Sequence, residues 1–324
     1  MSAATQYYVI TILVYVCSNV IAAWGLDLQF GITGVLNFAF IIFQAIGAYT
    51  AGVLSIGPSS SSGGFESYVG GARLPFPLPI IGAMAAGAAL SAIVGLIALR
   101  RLRSDYQAMV MLVVSVVATV VVTSETGLVN GAAGLSLIPN PMSGLAVSHQ
   151  TQQWVFVAFC IAVMLVVGVV MYAIVYSPHG RVLRAVRENE KALEALGRSA
   201  TRARLEVFVI GGALAALSGA LLVEFVGAWA PSGWLYPETF VFFTAVIVGG
   251  RGSVFGVAIG AALIGVGIQQ AVQYMPIGSD PTVLAAAEWI ITGVITLLFL
   301  WVRPQGLFPE RRRRFARKSE VAAL

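Results

Sequence analysis

Eight stretches of this chain are apolar for about as long as a bilayer is thick, and that property decides most of what it can fold into. They run roughly over 6–25, 30–56, 77–99, 105–123, 154–176, 206–228, 238–250 joined to 254–272, and 284–302. At 1.5 Å of rise per residue, about 20 helical residues cross a hydrocarbon core of about 30 Å. Inside hydrocarbon every backbone N–H and C=O needs an internal partner, so spans are helices or closed barrels. The runs lack the two-residue alternation of barrel strands. The expected fold is therefore all-α: a polytopic transmembrane helical bundle of about 8–10 spans. Charge agrees, since only 10% of the 324 residues are charged where a soluble domain carries about 25%. Residues 1–6 contain no basic residue before the first run, so an uncleaved first helix is expected rather than a signal peptide.

Lysine and arginine set the expected orientation. Seventeen of the nineteen fall in three clusters: Arg100, Arg101 and Arg103; seven residues between Arg181 and Arg204; and seven between Arg303 and Lys318. Threading the spans brings all three to one face, which is expected to be cytoplasmic. The opposite loops, 57–76, 124–153 and 273–283, hold only Arg73. Residues 1–309 are read as the transmembrane domain and 310–324 as a basic tail attracted to anionic lipid. Nucleic-acid binding is not expected of charge placed beside a span.

No phosphate-cradling Gly-x-x-x-x-Gly-Lys-Ser/Thr, no His-Glu-x-x-His and no Gly-x-Ser-x-Gly occurs, so no ATPase, metalloprotease or serine-hydrolase chemistry is written here. Cys17 and Cys160 sit inside apolar runs and read as small buried hydrophobes. His149 and His179 stand alone. No catalytic residue, cofactor or metal is expected.

Residues 177–205 are too polar to span and too patterned to be a loose loop. Ser177 followed by Pro178 is a hydroxyl cap with proline at the first helical position. Val182, Val186, Leu193 and Leu196 repeat at helical spacing and give one apolar face. Gly197 offers a left-handed stop, and a second short helix is expected to begin near Ser199. Two readings stay open from the pattern alone: a helix lying on lipid, or a knob that docks on a cytoplasmic partner and passes its motion to the membrane.

Arg184-Ala185-Val186-Arg187-Glu188-Asn189-Glu190 and Glu194-Ala195-Leu196-Gly197 resemble the cytoplasmic loop of LivM-type permeases of branched-chain amino acid ABC importers. Gly25 to Gly34, Arg101 to Tyr106, Gly249-Gly250-Arg251-Gly252-Ser253 and Arg303 to Phe308 resemble further stretches of the same family in the same order. The chain departs from it at Val129–Leu135, around Asn37, and at Arg251; these departures bear on the substrate. The resemblance implies a transport subunit, not an enzyme. It implies a second related permease subunit, two cytoplasmic ABC ATPase subunits and an extracytoplasmic substrate-binding protein, in a prokaryotic plasma membrane with the C-terminus cytoplasmic. ATPase coupling falls by resemblance on Arg181, Arg184, Arg187, Glu188, Asn189, Glu190, Glu194, Ala195, Leu196 and Gly197. By analogy with broken helices in transporters, Gly249, Gly250 and Gly252 are placed near the translocation path with Gly31, Gly34, Asn37 and Glu224. The rival expectation is an ATPase-independent secondary transporter or channel, or, inside the family, an amide or urea permease. Few ionisable residues lie in the spans to couple protons or sodium.

Overall fold

The computed structural model describes residues 3–58, 67–101, 104–144, 146–273 and 281–310. The basic run Arg311–Arg314 and the rest of the tail lie outside them, as do Leu102 and Arg103. The chain folds as a helical bundle. In order come α1 (Ala3–Leu26), α2 (Phe40–Ser55), α3 (Leu78–Arg101), α4 (Ser104–Ser124), the single turn α5 (Thr126–Val129), α6 (His149–Tyr176), α7 (Pro178–Glu188) and α8 (Glu190–Ala195). They are followed by α9 (Ala200–Val226), α10 (Pro237–Gly249), α11 (Val254–Ala261), α12 (Gln269–Gln273) and α13 (Pro281–Val302). Among the described residues six helical runs are long and apolar enough to cross a membrane, with α2 and the described part of α13 as shorter apolar helices.

The first two expected spans divide differently from the sequence reading. A wide π-type turn, Asp27–Ile32, extends α1, and α2 starts only at Phe40. Residues 30–32 therefore close the first helix rather than open the second. Gly34 takes a left-handed φ of 79°, which a side chain would resist. The backbone groups freed there are recovered locally: Thr33 Oγ1 donates to the Leu28 carbonyl at 3.0 Å and the Val35 N–H to the Gln29 carbonyl at 2.8 Å.

α9 is the centre of the bundle: 78% of its span is buried, against 22% for α4. Small residues bring its neighbours to backbone distance. A Cβ on Gly47 of α2 would overlap the Ala216 backbone, one on Gly87 of α3 would overlap the Ala216 side chain, and one on Gly219 of α9 would overlap the Gln44 carbonyl. Such contact replaces the hydrophobic drive that lipid withholds from helix association. The same device pairs α10 with α11, where Gly249 faces Gly256 and Gly260 faces Ala245. The Gly249–Gly252 cluster is thus a hairpin turn between two antiparallel helices.

The connections divide between two ends. The 33–39 link, the α10–α11 turn and residues 303–310 gather around α7. At the opposite end the links from α2 to α3, α4 to α6 and α9 to α10 are knitted together. Tyr68 pairs with Val129 and Leu135 with Trp229 in isolated antiparallel bridges, and the Tyr68 hydroxyl donates to the Gly57 carbonyl at 2.6 Å.

Candidate functional site

At the α7 end, two short helices project from the bundle. Ser177 Oγ caps α7 by accepting from the Gly180 N–H at 3.2 Å, with Pro178 in the first turn. Leu183 and Val186 are fully buried against the bundle and Leu193 nearly so. The element differs from the expected single helix. Asn189 adopts an extended backbone, φ −158°, ends α7, and caps α8 by accepting from the Ala192 N–H at 3.1 Å. An asparagine side chain competes well for backbone donors, which is why it breaks a helix and starts another. Leu196, expected on the buried stripe, is 81% exposed: the break turns α8 so that Leu193 alone points inward. Gly197 stops the turn at φ 76°. Ser199 caps no short helix but α9 itself, which runs unbroken into the bundle. The resulting tip, Glu194 to Gly197, is exposed throughout. Its base is braced by Glu190 pairing with Arg204 of α9 at 2.8 Å.

Beside α7 lies a cluster of charge and backbone. The Glu310 carboxylate pairs with Arg184 through one oxygen and with Arg187 Nη2 through the other at 3.0 Å. Arg187 Nη1 donates to the carbonyl of Gly31 in the wide turn. Asp27, fully buried in the same turn, accepts from the Gly252 N–H at 2.9 Å through Oδ1, and its Oδ2 has no hydrogen-bond partner. Arg251 stacks its guanidinium over Phe30, 5.6 Å from the ring centre.

Toward the opposite end a cleft of about 530 Å³ opens between α1, α2, α9, α10 and α13, within the roughly 300–1,000 Å³ usual for small-molecule sites. Its polar lining includes Tyr15, Asn19, Gln44, Ser136, Glu238 and Glu288; among the described residues the two glutamates are its charged side chains. Gln44 is held by donating to Ser218 Oγ at 2.8 Å.

A model of the family described as branched-chain amino acid transport system, permease component, matches residues 8–301. The chain belongs to this family. It is similar to the high-affinity branched-chain amino acid transport system permease protein LivM of Salmonella typhimurium, with 29% identity over 94% of this chain and 70% of the relative. It is also similar to a probable LivM of Methanocaldococcus jannaschii, 27% identical over 90% of each chain, and to LivH of Salmonella typhimurium, 26% identical over 88% of this chain and 89% of the relative. No solved structure matches.

In this permease, the residues singled out from sequence fall into separate places. Arg184, Arg187, Gly31, Gly34 and Gly252 converge at the α7 end. Arg181 and Glu188 are exposed on α7. Gly249 and Gly250 pack against the 305–308 segment. Asn37 Nδ2 donates to Gln29 Oε1 at 2.9 Å and is fully buried. Glu224 is buried near the end of α9, with Oε2 unpartnered, and is not part of the cleft wall that Leu222 and Val226 form. Tyr15, Asn19, Gln44 and Glu238 are not among the residues expected at a site from sequence. Tyr15, Asn19 and Gln44 are polar side chains inside apolar runs and Glu238 stands at the start of one, the kind of signal that raises a functional hypothesis in a membrane protein. Glu310, expected as part of the basic tail, is instead 18% exposed and packs on α7.

Proposed function

We propose that the permease is one of two transmembrane subunits of an ABC importer for branched-chain amino acids. α7 and α8 face the cytoplasm and seat on an ATPase subunit. The cleft faces outward and receives the solute from a separate binding protein. α1, α2, α3, α4, α6, α9, α10, the α11–α12 run and α13 then make nine crossings, with the segment after α13 cytoplasmic, as the placement of arginine around α7 supports. The similarity to both LivM and LivH supports a pairing with a second, related permease. The membrane is the plasma membrane of a prokaryote.

The observation that carries this reading is the exposed apolar tip. α7 spends its own apolar side on the bundle, yet Leu196 stands 81% exposed on a braced, capped turn. A leucine so presented gains roughly 1.5–3 kcal/mol when a partner buries it. The test is Leu196→Asp, with the variant co-purified against the ATPases of the same transport system. Association weakened about tenfold or more, with folding unchanged, is the expected result; undiminished ATPase binding and leucine uptake would sink the reading.

A further inference from the structure

Four segments of the chain meet at Glu310. The last of them, 303–310, is fixed to α10 by backbone bonds: the Leu307 N–H donates to the Val248 carbonyl at 2.8 Å and the Phe308 N–H to the Gly249 carbonyl at 3.1 Å. Gly306, at φ 73°, lies directly on Gly250. Glu310 is therefore held by α10 and reaches out to α7. Its two oxygens engage guanidinium groups three residues apart on α7, Arg184 and Arg187. Arg187 continues the chain of contacts to α1, through the Gly31 carbonyl and by packing on Gly34, where a Cβ would come within 3.1 Å of its side chain. The α10–α11 turn closes the circle: Gly252 donates to Asp27 of the α1 extension, and a Cβ on Gly252 would lie 3.3 Å from the Glu310 carboxyl.

We infer that Glu310 is a positioning residue that clamps α7 to both α1 and α10, so that a displacement of the exposed tip reaches the cleft at the far end. This rests on the reading of α7–α8 as the ATPase-facing element. α1 and α10 are the levers. Each runs from this cluster to the cleft wall, α1 through Asn19 and Tyr15, α10 through Val241 and Glu238. From Asp27 to Asn19 is about 12 Å along a helix axis at 1.5 Å per residue. With the charges only 18–25% exposed, their attraction is less screened than on an open surface, and the hydrogen bond from Arg187 to the Glu310 carboxylate is charge-assisted, with Arg184 adding a second ion pair. Packed helices then carry the motion, because a close-packed bundle moves by discrete shifts of whole elements rather than by soft deformation. A carboxylate at position 310 serves transmission, and the tip serves docking; the two are separable.

The experiment uses the assembled transporter in proteoliposomes, with its binding protein and radiolabelled leucine as the probe. Leucine moved per ATP hydrolysed is compared for wild type, Glu310→Gln, Glu310→Arg and the exchange variant Arg184→Glu with Glu310→Arg. The single variants are expected to lower that ratio about fivefold or more, the lower range of ordinary coupling between distant sites, while melting close to wild type. The exchange variant is expected to regain part of the loss. Hydrogen exchange of residues 27–34 supplies a second readout that survives any loss of activity: nucleotide changes their protection in wild type and not in Glu310→Gln. A wild-type ratio in Glu310→Arg, no regain in the exchange variant, or a nucleotide response at 27–34 that ignores residue 310 overturns the clamp. Failure of the wild-type chain to bind the ATPases defeats instead the assignment of α7–α8 on which the clamp rests.

Discussion

Gly31 has no room for a side chain. A Cβ there would overlap the carboxylate of Asp27 four residues earlier, and that carboxylate is committed to the Gly252 N–H. Gly31→Ala is expected to push Asp27 off its donor and to cost about 1–3 kcal/mol, the usual range for overpacking and for a buried donor left unmade. The check is thermal unfolding of Gly31→Ala, Asp27→Asn and the double variant. Because the two residues touch, the double should depart from additivity by about 0.5 kcal/mol or more; strict additivity would show that they do not act on each other. Little of this pairing could be read in the sequence. Asp27 was visible as an acid beside an apolar run, and Gly31 as a glycine expected near the translocation path, with nothing to join the two. Their opposition depends on the wide turn, which brings the carboxyl over residue 31 and leaves no trace in the hydrophobic period. Glu310 was hidden for a related reason. An acid next to an arginine run looks like part of a solvated tail, and its partners stand more than a hundred residues away.

The paired helices α7 and α8 were legible at their ends and not at their middle. Ser177, Pro178 and Gly197 are local signals whose physics is contained in two or three residues, and each does what its type predicts. The break at Asn189 is different. Val186 and Leu193 are seven apart, so a helical period passes through the break undisturbed, and a cap looks from sequence like one more exposed polar residue. Its consequence is large, since it rotates Leu196 out of the buried stripe. Asn189→Ala removes the side-chain acceptor of the Ala192 N–H, a loss worth about 1 kcal/mol. Amides of residues 191–196 are expected to exchange about fivefold faster as that local stability falls, while those of α9 stay protected. Uniform acceleration across both would mean that the cap supports the whole fold and not the tip alone.

For the bundle as a whole, the all-helical, membrane-spanning character was largely readable, because bilayer thickness acts over the entire chain. The junction of the first two spans was not, because the 33–39 link crosses no obvious polar gap; its irregular backbone is supported by Arg187 from another part of the chain. The two-ended arrangement predicts a labelling pattern. Both cysteines are buried, so a membrane-impermeant maleimide should meet little background. Leu196→Cys is expected to react only in inside-out vesicles, and Leu137→Cys, at a site 79% exposed at the other end, only in intact cells. Reaction of both from one side would refute the topology. The wide turn at Asp27–Ile32 carries one more consequence. Such a turn stores an extra residue, and an ordinary α-helix advances about 100° per residue. Slipping one residue from it into the link behind would revolve the whole of α1 by about that angle, taking Tyr15 and Asn19 out of the cleft wall and exchanging its amide and phenol for the apolar flank of the same helix.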